Sequence, residues 1–158
     1  MKEKTRVLIA DDNQDFSRTL SSYINNQDDM EVISIAKDGN EAVEMIAKNN
    51  PDIVLLDVIM PHLDGLGVLE KVNEMETSKK PVCIMLSAVG QDKITQKAIS
   101  LGAEYYVVKP FDIELLIKRI KEIKYHQPNQ TSNYFITREI KPQYIELSMD
   151  ESKKEENL

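Results

Sequence analysis

The chain of 158 residues has one cysteine, two histidines, five glycines and no tryptophan. A single thiol, Cys83, rules out an intrachain disulfide, and a reducing compartment is the simpler expectation. Placed in the middle of an apolar run, Cys83 reads as a small buried hydrophobe. His62 and His126 are too far apart in sequence to suggest a histidine-based metal centre. No apolar run approaches the roughly 20 residues that span a bilayer, and Met1-Lys2-Glu3-Lys4 leads straight into a short strand without a signal-peptide core. The expectation is a cytoplasmic chain with no membrane partner. Positive charge is also scarce: Lys and Arg total 20 against 27 Asp and Glu, a net charge of −7. That balance argues against this segment gripping nucleic acid through a basic surface.

What is present is an alternation of two periods. Val7–Ala10, Val32–Ala36, Ile53–Leu56, Val82–Leu86 and Tyr105–Val108 are short, nearly continuous apolar runs, the pattern of strands covered on both faces. Between them apolar residues recur at helical spacing. Phe16, Leu20, Tyr23 and Ile24 form one set, and Ala42, Val43, Ile46 and Ala47 the next. Val68, Leu69 and Val72 follow, then Ile94, Ala98, Ile99 and Leu101, and finally Ile113, Leu116, Ile117, Ile120 and Ile123. Asp38 and Asp112 are expected helix caps, with Glu41 placed to reach back across the first turn. Five strands alternating with five helices specify an α/β, doubly wound parallel sheet over residues 1–125. Residues 126–158 begin with a polar, turn-rich stretch and end in a charged tail, and are expected to form a linker, although Tyr134–Leu147 regains enough apolar character to pack.

In such sheets the working site lies at the carboxyl ends of the strands. Asp11 and Asp12 end the first strand, Asp57 the third, Ser87 the fourth and Lys109 the fifth. In a doubly wound sheet of this type the first and third strands are neighbours, so the three carboxylates converge and repel unless a cation is present. A hard divalent ion suits them, Mg²⁺ foremost, with Mn²⁺ or Ca²⁺ as substitutes. Each element has a duller explanation: acidic pairs after strands often serve only the helix dipole. The combination is the signal. A carboxylate nucleophile (Asp57), a metal held by Asp11, Asp12, Asp57 and the Ile59 carbonyl, and Lys109 and Ser87 for phosphoryl oxygens suit acceptance of a phosphoryl group.

With these residues the chain resembles the receiver domains of two-component response regulators. The resemblance rests on Asp11-Asp12, Asp57, Met60-Pro61 with Asp64-Gly65, Ser87-Ala88 and Lys109-Pro110-Phe111, and covers residues 5–125. It implies a flavodoxin-like (βα)5 fold with strand order 2-1-3-4-5 and Mg²⁺-dependent phosphoryl transfer to Asp57 from a histidine kinase or histidine phosphotransferase. It further implies a cis Lys109-Pro110 bond aiming the lysine at Asp57, and a switch in which Ser87 moves inward, the loop Ala88–Gln91 follows and Tyr106 turns. The phosphorylated domain is then expected to dimerise through its fourth helix, fifth strand and fifth helix.

The runs Asp57-Val-Ile-Met-Pro-His62-Leu-Asp-Gly-Leu-Gly-Val-Leu-Glu70, Ser87-Ala-Val-Gly-Gln91 and Leu101-Gly-Ala-Glu-Tyr-Tyr106 are similar to those of sporulation regulators in endospore-forming bacteria. That likeness implies a DNA-binding domain beyond the linker, absent from this sequence, through which DNA would be contacted. Three rivals are distinguishable. A single-domain phosphorelay carrier would have no DNA-binding output. A Mg²⁺-dependent aspartate-nucleophile phosphatase usually has a second acid two residues after the nucleophile, where this chain has Ile59. A flavin module needs a Ser/Thr/Gly-rich loop after the first strand, which is missing. The expectation is therefore a phosphoacceptor and not an enzyme.

Overall fold

Five parallel strands lie in the order β2-β1-β3-β4-β5 in a computed structural model that describes residues 3–77, 79–88 and 91–125. The elements alternate as β1 (Thr5–Ala10), α1 (Gln14–Asn25), β2 (Met30–Ala36), α2 (Gly39–Asn49), β3 (Ile53–Asp57), α3 (Gly65–Glu74), β4 (Val82–Ala88), α4 (Asp92–Ser100), β5 (Tyr105–Lys109) and α5 (Ile113–Tyr125). This is the doubly wound α/β sheet that the apolar pattern predicts. The linker expected over residues 126–158, the packing of Tyr134–Leu147, and Val89 and Gly90 of the expected switch loop lie outside the described residues.

The continuous apolar runs arise because each central strand supplies both cores. Val7, Ile9, Ile53, Leu55, Ile84, Leu86 and Val107 face α1 and α5, where Leu20, Ile24, Leu116, Ile117 and Ile120 complete one cluster. Leu8, Ala10, Val54, Leu56, Cys83 and Met85 face the other way, onto Ala42 and Ile46 of α2, Val68, Leu69 and Val72 of α3, and Ala98 of α4. Each large side chain removed from water in this way contributes about 1.5–3 kcal/mol before chain entropy is set against it. β2 departs from the expectation of coverage on both faces. As an edge strand it is only partly buried along most of its length.

Three residues assigned to apolar helix faces are exposed, Ala47 of α2 among them. Tyr23 is 44% exposed, on the rim of a cleft between α1 and α5 lined by Gln27, Ile117 and Lys121. Ile94, in the first turn of α4, is 37% exposed. Tyr23 and Ile94 sit at the edges of their stripes, where helical spacing alone does not define how far the opposing surface reaches.

Local capping fixes where the helices start. The side chains of Asn13, Asp38 and Asp64 accept the backbone N–H groups of Phe16, Glu41 and Gly67, and Asp112 accepts those of Glu114 and Leu115. Glu41 does reach back, but to the N–H of Lys37 at 3.2 Å, one residue before the cap. α4 is the exception: its first flanking residue, Gln91, makes no side-chain cap.

Candidate functional site

The sheet order reverses between β1 and β3, which pair through Ala10 and Leu56, and the residues that follow this pairing form an acidic cluster. One carboxylate oxygen from each of Asp11, Asp12 and Asp57 lies within 4.8 Å of the others. The three are not equivalent. Asp11 is buried and both its oxygens are engaged: Oδ1 accepts the Asn13 N–H at 2.9 Å and Oδ2 the Lys109 ammonium at 2.6 Å. Asp12 is exposed. The Asp57 side chain keeps 14% of its surface. Burial, with the Asp11 charge next, pushes the Asp57 carboxyl up from an ordinary 3.8 to about 6; Lys109 and the Ile59 backbone N–H oppose this, and Asp12 adds to it. Such a cluster fits a hard cation, which would relieve the repulsion and find in Asp12 a carboxylate already facing water.

Lys109 ends β5, and the Lys109-Pro110 bond that follows is cis. The resemblance aims this lysine at Asp57. In the structure it reaches both acids but favours Asp11, at 2.6 Å against 3.9 Å for Asp57 Oδ2. Its ammonium also lies 4.4 Å from the centroid of the Phe16 ring, and Phe16 meets Phe111 edge to face at 5.8 Å. The sequence places Phe16 only on an apolar face; nothing in its spacing signals that α1 would bring the ring under a cation.

Ser87 is almost fully buried on β4, and its hydroxyl is hydrogen-bonded to Thr95 Oγ1 of α4 at 2.8 Å. The sequence predicts that this hydroxyl donates to an oxyanion beside Asp57; in the structure its partner is a side chain of α4. Nothing in the sequence pairs Thr95 with Ser87, because a threonine inside an amphipathic helix carries no mark of what its hydroxyl meets.

A family model described as the response regulator receiver domain matches residues 7–121. The chain belongs to that family. Among solved structures, it is similar to a receiver domain of a Francisella response regulator (28% identity, 78% of this chain and 100% of that one, TM-score 0.69). It is also similar to the signal receiver domain of the putative response regulator NarL from Mycobacterium tuberculosis (27%, 79% and 99%, TM-score 0.72). A third likeness is to the N-terminal domain of an uncharacterized protein from Wolinella succinogenes (32%, 76% and 94%, TM-score 0.67). Receiver domains are phosphoacceptors that work with histidine kinases or phosphotransfer proteins and bind Mg²⁺ in an acidic pocket; the acidic cluster of this receiver is Asp11, Asp12 and Asp57.

The loop that follows Asp57 in this receiver is built tightly. Leu63 N–H donates to the Pro61 carbonyl at 2.8 Å around His62, whose φ of 70° is unusual for a non-glycine residue. Gly65 N–H donates to the Val58 carbonyl, and a methyl group added at Gly65 would sit 2.5 Å from the Asp57 carbonyl oxygen. Glycine is therefore required for α3 to start this close to β3. Ile59 lies exposed beside the acids, two residues after Asp57, where its side chain contributes no second acid. Tyr106 is half-buried on β5 and packs against both cores; burial, then Asp92, pushes its hydroxyl pKa up. Among the described residues no helix is long and apolar enough to cross a membrane.

Proposed function

We propose that residues 1–125 are the phosphoacceptor receiver of a cytoplasmic sporulation response regulator most like stage 0 sporulation protein A. Residues 126–158 would then link it to a C-terminal DNA-binding domain. The observation that carries the phosphoacceptor reading is the meeting of Asp57 with Asp11, Asp12 and Lys109 at the β1/β3 switch point. The narrower likeness rests on the sequence runs after Asp57, Ser87 and Leu101.

Asp57 attacks the phosphorus of a phosphohistidine. A P–O bond forms as the P–N bond breaks, and the electron pair returns to the imidazole nitrogen, which takes a proton from solvent. The nucleophile is a carboxylate, so no base has to deprotonate it. Burial and the Asp11 charge raise its pKa to about 6, which still leaves Asp57 mostly ionised at pH 7. Asp12, Asp57 and the Ile59 carbonyl would hold Mg²⁺ directly and Asp11 through water. Bound there, the ion supplies charge neutralisation among the acids and to the transferring phosphoryl. Lys109 and Ser87 bind the remaining phosphoryl oxygens. Hydrolysis returns the carboxylate, so the domain is a slow self-dephosphorylating acceptor and not a turnover enzyme.

Phosphorylation replaces the single charge of the Asp57 carboxylate with a phosphoryl group carrying about −1.5 to −2, biasing Ser87 and Tyr106 and favouring a dimer through the face of α4, β5 and α5. Phosphotransfer from a phosphohistidine donor should label wild type with Mg²⁺, but neither Asp57→Asn nor chelated wild type. Labelling of Asp57→Asn at the wild-type level would overturn the assignment. Sedimentation with and without beryllofluoride tests the dimer, which an unchanged mass at micromolar protein would refute.

A further inference from the structure

The hydrogen bonds around Ser87 admit one consistent assignment of protons. Thr95 Oγ1 lies 2.8 Å from the main-chain carbonyl oxygen of Gln91, and a carbonyl only accepts, so the single Thr95 hydroxyl proton is used there. Thr95 Oγ1 must then accept from Ser87 Oγ across the second 2.8 Å contact. Ser87 also has one proton, and Thr95 holds it. Both residues are buried, at 1% and 4% exposure, so water does not readily replace either partner.

Gln91 fixes the other end of this chain of bonds. Its Oε1 accepts the Ala88 N–H at 2.7 Å, its own N–H donates to the Ala88 carbonyl at 3.2 Å, and its carbonyl also accepts the Thr95 N–H at 2.9 Å. The side chain that fails to cap α4 instead ties the helix start to the end of β4. A hydroxyl committed in this way presents only lone pairs to a phosphoryl oxygen, so Ser87 must break from Thr95 before it can donate.

We propose that Thr95, held by Gln91, is a positioning residue that retains the Ser87 proton in the resting domain and sets how readily Ser87 turns to a phosphoryl group on Asp57. The inference rests on the phosphoacceptor reading and adds to it a specific brake. Thr95→Val keeps the shape of the side chain and removes the acceptor, leaving the resting Ser87 donor buried without its partner. Engagement of Ser87 by a phosphoryl mimic then no longer opposes an existing bond.

The test is calorimetric titration of the full chain with beryllofluoride in the presence of Mg²⁺. Thr95→Val should tighten binding about 3- to 10-fold, the value of one neutral hydrogen bond. Thr95→Ser, which restores the hydroxyl, should return to within about twofold of wild type, less than the worth of that bond. In a Ser87→Ala background, Thr95→Val should have no effect, because there is no proton left to hold; a merely structural role for Thr95 would persist there. Unchanged or weaker binding by Thr95→Val, or an effect that survives in Ser87→Ala, would overturn the proposal. Thr95→Ala is read by the same criteria should the valine variant not fold. Failure of wild type to bind beryllofluoride would overturn the phosphoacceptor reading and this inference with it, whereas binding by wild type that is unmoved in Thr95→Val overturns this inference alone.

Discussion

Replacing Asp57 with asparagine should stabilise the metal-free domain at neutral pH, although it removes the acceptor. The folded-state pKa is raised from 3.8 to about 6, so near pH 5 the native state binds more protons than the unfolded chain. Stability therefore falls as pH rises through that window. A difference of about two pH units corresponds to roughly 3 kcal/mol. The Asp57 side chain still has a solvent-facing edge, and screening there reduces the expected gain to about 1–2 kcal/mol. Urea unfolding of both proteins in chelator, at several values between pH 3.5 and pH 8, measures it. The two should agree most closely at the acid end, where Asp57 is mostly protonated in folded and unfolded chains alike, and diverge with asparagine the more stable above about pH 6. Mg²⁺ should narrow or reverse the order, since an ion that binds only the folded wild type at 100 times its Kd adds about 2.7 kcal/mol. Parallel pH profiles in chelator, or an asparagine variant less stable at pH 8, would show that burial and the neighbouring carboxylates do not raise the Asp57 pKa as the geometry requires.

Phe16→Leu should preserve the α1 packing but remove the ring from beneath the Lys109 ammonium, a contact of about 0.5–2 kcal/mol. Its readout is a change in beryllofluoride affinity of roughly twofold or more, with unfolding stability lowered by less than about 1.5 kcal/mol, the usual limit for a volume-conserving swap. Gly65→Ala presses a methyl group against the Asp57 carbonyl and should cost about 1–3 kcal/mol in urea unfolding; a neutral result would mean that α3 can withdraw from β3 freely. Leu116→Ala, at a fully buried position on the inner face of α5, should cost about 2–5 kcal/mol while leaving phosphotransfer measurable, separating the core from the chemistry.

Most of the architecture is legible in the sequence because β1, β3 and β4 are sandwiched between two layers and are written as unbroken apolar runs. The acids and Lys109 are legible for a related reason: Asp11, Asp57 and Lys109 are each the first charged residue after such a run, Asp12 adjoins Asp11, and the fold rule collects strand ends in one place. Side-chain commitments are not legible. Nothing in the string Gln91-Asp-Lys-Ile-Thr95 reveals that the glutamine reaches backward to Ala88 and that the threonine meets a strand serine, since both depend on how α4 is set against β4. The preference of Lys109 for Asp11 is hidden in the same way. It depends on Asp11 being buried while Asp57 keeps some contact with water, a difference of environment between two residues that look alike in sequence.

These commitments explain how one added group can move two side chains. Lys109 already lies within 4 Å of two acids, and at that range a pair of unit charges interacts by about 4 kcal/mol at an effective dielectric constant of 20. Its choice of Asp11 at 2.6 Å over Asp57 at 3.9 Å is thus worth about 2 kcal/mol by the same relation. A phosphoryl on Asp57 replaces that carboxylate's single charge with about two, one net charge added on the Asp57 side, enough to reverse the preference without any change in Asp11. Ser87 is held by a neutral hydrogen bond worth about 1 kcal/mol, which a charge-assisted bond to a phosphoryl oxygen outweighs. On the proposed phosphoacceptor reading, electrostatics at Lys109 would supply the drive, and the Ser87–Thr95 bond would subtract a smaller resistance from it. Variation at Thr95 should tune the threshold of the response, and only loss of Lys109 or of an acid should abolish it.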